Sequence, residues 1–314
     1  MSNLDSVFDD SLPEDHRSGM VAVVGRPNVG KSTLINRLLG QKIAIVSPKP
    51  QTTRRRQLGI YTSVQGQILF VDTPGLHAPQ HKLGEYMVQI AENALKDADV
   101  ILLLLDVSEK PERSDEHIAE TLARLRHDTP VVLALNKADL LTPANHDANI
   151  AAHEALIPHD KAITISALNG EAVDQLLAYI MDKLPLGPRY YPAEDLSDVN
   201  MRFVAAETIR EKIMLLTDQE IPYSVAVEVD SYKERSEDMT YISALIYVER
   251  DSQKGIVIGK GGELIKKIST QAREELAEML GTKVFLDVRV KVLKNWRSDE
   301  KLMQRLGYRL NDKD

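Results

Sequence analysis

Gly25-Arg-Pro-Asn-Val-Gly-Lys-Ser32 has the spacing G-x-x-x-x-G-K-S and stands between an apolar run, Met20–Val24, and a helical stretch, Thr33–Leu39. A strand before the motif and a helix after it are the context that makes it a phosphate loop. Glycines let consecutive backbone N–H groups curl around phosphate oxygens, and the helix N-terminus adds the positive end of its dipole. Lys31 then reaches the β- and γ-phosphates, and the Ser32 hydroxyl is placed to coordinate Mg2+. On this reading the phosphates lie against Gly25, Arg26, Pro27, Asn28, Val29, Gly30, Lys31, Ser32 and Thr33.

Outward from the loop, Ile68–Val71, Val100–Leu105, Val131–Leu135 and Ala162–Ile165 are continuous apolar runs of strand length, alternating with amphipathic segments such as Arg113–Arg126 and Gly170–Leu184. Strands apolar on both faces and joined by helices predict a doubly wound, mostly parallel α/β sheet that binds ligands at the carboxyl ends of its strands. Three more motifs stand at such ends. Asp72-Thr-Pro-Gly75 follows Ile68–Val71 and puts an acid where Mg2+ is held, with the Gly75 N–H free to approach a γ-phosphate. Asn136-Lys-Ala-Asp139 follows Val131–Leu135. The Asp139 carboxylate can accept both N1–H and N2–H2 of guanine, which adenine lacks, while Lys137 lays its methylene stem against the base and Asn136 braces the neighbouring loops. Ser166-Ala-Leu168 follows Ala162–Ile165 and offers the Ala167 N–H to guanine O6.

In this order and at these strand ends, GRPNVGKS, DTPG, NKAD and SAL resemble the motif set of the translation-factor-related GTPases over roughly residues 20–184. The resemblance implies a six-stranded G domain, Mg2+-dependent hydrolysis of GTP to GDP, and contacts to nucleotide from Thr73, Pro74, Leu76, Ser166 and Leu168 as well. It also implies a switch I threonine that ligates Mg2+ beside Ser32 and Asp72. Thr53 in Pro50-Gln-Thr-Thr-Arg54 is the first choice, with Thr52 open. Arg54, Arg55 and Arg56 read as a solvated basic loop rather than an arginine finger. Leu76 stands where small signalling GTPases carry a water-orienting glutamine, so intrinsic turnover is slow unless another group stabilises the transition state. Lys31, Thr53, Gly75 and Asn28 are the catalytic candidates. Asn28 either coordinates K+, as in related GTPases with asparagine at this position, or simply braces the loop; His77 reads as incidental.

The alternation stops at Leu184-Pro-Leu-Gly-Pro-Arg-Tyr-Tyr-Pro192, a proline-rich linker by composition. The chain divides into an acidic disordered arm (1–17), the G domain (18–184), the linker (185–197) and an α+β module (198–314). In that module Ile256-Val-Ile-Gly-Lys-Gly-Gly262 precedes a helix with apolar positions Leu264, Ile265, Ile268, Ala272 and Leu276. The I-G-x-x-G turn and the element order α-β-β-α-α-β resemble a type II KH domain, in which glycines admit an RNA backbone closely. Ile258, Gly259, Lys260, Gly261, Gly262 and Lys266 are the implied RNA contacts. Trp296, the sole tryptophan, serves either as a base-stacking group or as an anchor of the last helix.

A net charge of −8, from 39 basic and 47 acidic residues, taken alone argues against a nucleic-acid binder. The local distribution argues otherwise, because Lys283–Lys313 holds nine basic residues and four acids. The chain has no cysteine, which excludes thiolate catalysis, disulfides and Cys-ligated metal. Its longest apolar run, Val100–Leu105, is far short of the about 20 residues a bilayer requires. With no secretory pattern at the N-terminus, the expected location is cytoplasmic.

Taken together, residues 18–310 are similar to the bacterial GTPases of small-subunit ribosome assembly that carry a C-terminal KH domain. This implies a switch that binds GTP or GDP, that binds small-subunit ribosomal RNA near its 3′ end in a GTP-dependent way on the 30S particle, and that associates peripherally with the membrane; no DNA is expected. The competing readings are an RNA-binding module with GTP as a structural ligand, and a membrane-associated signalling GTPase.

Overall fold

A computed structural model of the chain describes residues 12–47, 49–74 and 81–309, which form two compact units, one of residues 12–44, 53–74 and 87–198 and the other of residues 45–47, 49–52, 81–86 and 199–309. In chain order the first part runs β1 (Arg17–Val24), α1 (Lys31–Leu39), β2 (Gln57–Thr62), β3 (Gly66–Asp72), α2 (Lys82–Lys96), β4 (Val100–Asp106), α3 (Arg113–Leu125), β5 (Val131–Asn136), α4 (His146–Glu154), β6 (Lys161–Thr164) and α5 (Val173–Lys183). Its six strands lie in the order β2-β3-β1-β4-β5-β6, all parallel except β2, which pairs antiparallel with β3. This is the mostly parallel six-stranded sheet expected.

Because side chains alternate along a strand, each central strand feeds two cores. Val21 and Val23 join Leu34, Leu102, Leu104 and Leu176 on the α1/α5 side, whereas Ala22 and Val24 join Leu95, Leu103, Ile118 and Leu122 on the α2/α3 side. All are essentially buried, and each Val or Leu so buried contributes about 1.5–3 kcal/mol. Truncating Leu102 to Ala would remove about 2–5 kcal/mol.

One expectation needs correction. The arm assigned to residues 1–17 extends too far, since His16 is buried with Nδ1 2.7 Å from Gly187 O, and Arg17 already pairs with Gly66 as the first residue of β1. Ladder hydrogen bonds hold the end of that acidic segment; residues 1–11 lie outside the described residues. The proline-rich stretch also runs along the first unit. Arg17 bridges to Leu186, Gly59 bridges to Ser197, and the Gln67 amide accepts from Tyr190 N and Tyr191 N and donates to Tyr191 O.

The second unit continues with α6 (Met201–Leu216), α7 (Ile221–Ser224), β7 (Ala226–Ser236), β8 (Met239–Val248), α8 (Asp251–Ile258), α9 (Glu263–Leu280), β9 (Lys283–Val292) and α10 (Glu300–Arg305). Its sheet is ordered β7-β8-β9, with β8 antiparallel to β7 and parallel to β9. Ile209 and Ile213 of α6 and Ile268 and Ala272 of α9 pack with Ala244, Ile246 and Val248 on one face of that sheet. Trp296 is fully buried, donates Nε1–H to Ser224 O at 2.8 Å and stacks on Tyr308, so it is an internal anchor. Among the described residues no helix is long and apolar enough to cross a membrane.

Candidate functional site

The turn between β1 and α1 has a backbone that side chains would obstruct. Gly30 caps α1 at φ 104°, and a Cβ there would stand 2.4 Å from Asn136 Nδ2. Asn28, also at positive φ, is exposed at the tip of the loop. Val29 is buried, and its carbonyl accepts from Asn136 Nδ2 at 2.6 Å. Lys31 is buried and donates Nζ–H to Gly25 O at 2.9 Å and Arg26 O at 3.0 Å. Arg26 points instead into a carboxylate cluster, 3.5 Å from Asp106, 3.1 Å from Glu112 and 3.3 Å from Asp115.

At the carboxyl end of β3, Asp72 is buried, and both the Ser32 hydroxyl (3.1 Å) and the Thr53 hydroxyl (3.0 Å) donate to its Oδ2. Burial raises the Asp72 pKa, against the opposing effects of the Lys31 charge and the two hydroxyls; burial likewise lowers the Lys31 pKa, with Asp72 opposing. Asp72 Oδ1 is buried without a hydrogen-bond partner. Two hydroxyl oxygens and a carboxylate with an unused oxygen are the hard donor set that suits Mg2+. Thr52 is not part of this group, for its hydroxyl donates to Lys49 O at 2.6 Å. Thr73 fixes the strand end by donating to Val23 O at 2.9 Å, and Pro74 is the last residue described before Gly75, Leu76 and His77, which lie outside the described residues.

The loops after β5 and β6 are bolted to one another. Asn136 Oδ1 accepts from Ala167 N at 2.9 Å, so the N–H expected to face guanine O6 is engaged within the protein. Ser166 Oγ donates to Asp139 Oδ1 at 2.6 Å, leaving the exposed carboxylate held at one oxygen, and Leu168 is 67% exposed. Lys137, at φ 66°, reaches Asp106 Oδ2. Burial alone would raise the Asp106 pKa, but hydrogen bonds from Lys137 and Ser108 hold it below the ordinary value. From α1, Arg37 donates Nε–H to Ala167 O at 2.8 Å and a further N–H to Leu168 O. Sequence reading missed Arg37 and Asp106. A basic residue in the last turn of a helix is commonplace, and nothing local indicates carbonyls about 130 positions away.

The solvated-loop reading of Arg54–Arg56 is corrected at its first residue. Arg54 is 2% exposed, Arg55 half-buried and Arg56 exposed, because the chain here enters β2, whose residues Gln57–Ile60 are all buried. The segment just before it, Ile45–Thr52, belongs to the second unit. There Val46 N donates to Glu211 Oε1 at 2.8 Å, Lys49 reaches Thr217 O and Asp218, and Arg210 donates to the Thr52 carbonyl. Arg210 is 1% exposed and doubly paired with Glu207.

In the second unit α8 ends at Ile258 and the GKGG turn opens α9. Gly259 sits at φ 76° with no room for a Cβ, which would come within 2.8 Å of Leu264 Cβ, whereas at Gly261 and Gly262 the added atom meets open space. Lys260 and Lys266 are exposed. Between α9 and β9 a groove of about 450 Å3 is lined by Ile265, Lys266, Ser269, Phe285, Leu286, Asp287 and Val288. Of the basic residues after Lys283, Arg289 pairs with Asp230 and Asp287, and Arg297 with Glu249.

A family model described as 50S ribosome-binding GTPase matches residues 20–137, and a KH domain model matches residues 220–297. Among solved structures, the chain is similar to Era in complex with MgGDPNP and nucleotides 1506–1542 of 16S ribosomal RNA, at 39% identity over 93% of this chain and 99% of that one, TM-score 0.86. It is equally similar to a point variant of Aquifex aeolicus Era bound to GDP and AlF4−, at 38% identity over 93% of this chain and 99% of that one, TM-score 0.85.

Proposed function

Since the chain belongs to the Era family of GTPases, we propose that it is a GTP-hydrolysing switch that binds small-subunit ribosomal RNA near its 3′ end and acts in assembly of the 30S subunit. The observation that carries the catalytic half is the convergence of Ser32 and Thr53 on Asp72, beside Lys31 at the N-terminus of α1.

Ser32, Thr53 and Asp72 would hold Mg2+, which would supply charge neutralisation at the β- and γ-phosphates. The backbone N–H groups of Gly25–Thr33 cradle the phosphates, and Lys31 exchanges the carbonyls of Gly25 and Arg26 for phosphate oxygens. Asp139 accepts from the guanine edge, with Ser166 fixing its rotamer; Arg37 and Asn136 hold the Ala167–Leu168 backbone beside the base. Asn28 is the residue we assign to hold a K+ ion, which would spread positive charge over the phosphates and so offset the lack of a water-orienting glutamine at Leu76. Equal hydrolysis rates in KCl and NaCl would remove that assignment. Gly259, Lys260, Gly261 and Gly262 admit the RNA backbone, and Ile258 and Lys266 flank the strand as it enters the groove between α9 and β9.

The nucleotide state sets RNA binding, because the Mg2+ ligand Thr53 directly follows the segment that Arg210 and Glu211 hold in the KH unit. The protein works in the cytoplasm, with peripheral membrane association. Multiple-turnover phosphate release from GTP tests the enzymatic reading, since a structural nucleotide would not be consumed.

A further inference from the structure

Along β8 and β9, Ile242, Ala244, Val284 and Leu286 face the helices, so the alternate residues Tyr241 and Phe285 stand on the opposite face of the sheet. At that end of the sheet the side chains form a column. The Arg235 guanidinium lies 4.3 Å from the centroid of the Tyr241 ring, and Tyr241 stacks on Phe285 with centroids 5.7 Å apart and planes 17° from parallel. Phe285 ends the column and is 56% exposed, an unusual exposure for an aromatic ring on a strand. The register puts the exposed cations Lys233, opposite Tyr241, and Lys283, two residues before Phe285, on this same face. Glu234, opposite the buried Thr240, is directed to the other face. Phe285 also borders the groove that holds Lys266, so the platform is continuous with the RNA path.

We propose that the Arg235–Tyr241–Phe285 column is a second RNA-contact site, on which an unpaired nucleobase stacks as the strand leaves the GKGG groove. An aromatic face takes any base, because every base presents a π surface, and the cation on the far side of Tyr241 fixes the rings in place. Lys233 and Lys283 supply the charge that a flanking phosphate requires. The proposal rests on the RNA reading of the KH unit and adds to it a contact made by ring area, not by charge.

The test uses the full chain with Mg·GDPNP and an RNA spanning nucleotides 1506–1542 of 16S ribosomal RNA, with anisotropy titrations at several salt concentrations. Phe285→Leu, which keeps apolar bulk and loses the ring, weakens binding about tenfold, while the slope of log affinity against log salt is unchanged. Phe285→Trp restores wild-type affinity. Gly261→Asp, which places a carboxylate at the open GKGG turn, serves as the reference variant. If it weakens binding while Phe285→Leu does not, the stacking site is wrong and the RNA reading stands. If Gly261→Asp binds as wild type, the RNA reading fails and the stacking site with it. A Phe285→Leu loss accompanied by a shallower salt slope, or one that Trp does not restore, also overturns the stacking site.

Discussion

The Thr53 hydroxyl donates a 3.0 Å hydrogen bond to Asp72 Oδ2, joining two residues 19 positions apart at the point where Ser32 also arrives. The neighbouring Thr52 hydroxyl is turned back to Lys49 O within its own loop. Thr53→Ala therefore lowers Mg2+-dependent GTP hydrolysis by roughly a hundredfold, whereas Thr52→Ala changes it by less than about threefold. Phosphate release across an Mg2+ titration distinguishes the two.

The Asp139 carboxylate, proposed above to read the guanine edge, is held at Oδ1 by Ser166 Oγ. In Asp139→Asn an N–H replaces an acceptor, so GTP affinity falls by about three orders of magnitude and xanthosine triphosphate, with a carbonyl where guanine has an amino group, gains. Competition binding of the two nucleotides measures the exchange.

Asp106 accepts from Lys137 and lies 3.5 Å from Arg26, tying the guanine loop to the phosphate loop. Its folded pKa is held below the ordinary 3.8, so its stabilising contribution is complete above that pH and is lost as the pH falls through the lowered folded value. Asp106→Asn costs about 1–3 kcal/mol at pH 7, because Lys137 loses its carboxylate partner while Arg26 keeps Glu112 and Asp115. In urea melts the gap between variant and wild type narrows once the pH drops below about 3.8.

Arg210 grips the Thr52 carbonyl from α6 while Glu211 takes the Val46 N–H. Both contacts are to backbone, so they report the position of the segment and not its sequence. Arg210→Gln leaves multiple-turnover hydrolysis within about threefold of wild type but shrinks the difference in RNA affinity between Mg·GDPNP and Mg·GDP at least severalfold.

The sheet could be read from the sequence because its strands β3, β4 and β5 are buried on both faces. Val100–Leu105 is apolar throughout, and a run of that kind has few alternatives. β2 and the long β7 were harder, since Gln57–Thr62 begins with a buried glutamine and β7 is polar over most of its length. For the site, residue types and spacing name Ser32, Asp72, Asn136 and Asp139. They do not decide between Thr52 and Thr53, because adjacent residues in an irregular loop have no period. The burial of Arg54, the fastening of His16 to Gly187 and the grip of Arg37 on Ala167 and Leu168 depend on partners distant in the chain, which no local pattern encodes. The acidic total of −8 misled for a related reason, as charge acts through its placement.

In the proposed mechanism GTP governs how this chain binds ribosomal RNA. The most direct measurement is the affinity of the full chain for RNA spanning nucleotides 1506–1542 of 16S ribosomal RNA, compared in saturating Mg·GDPNP and saturating Mg·GDP. At least about tenfold tighter binding is expected with the GTP analogue, which corresponds to a coupling free energy of about 1.4 kcal/mol. Equal affinity in the two nucleotides would contradict it.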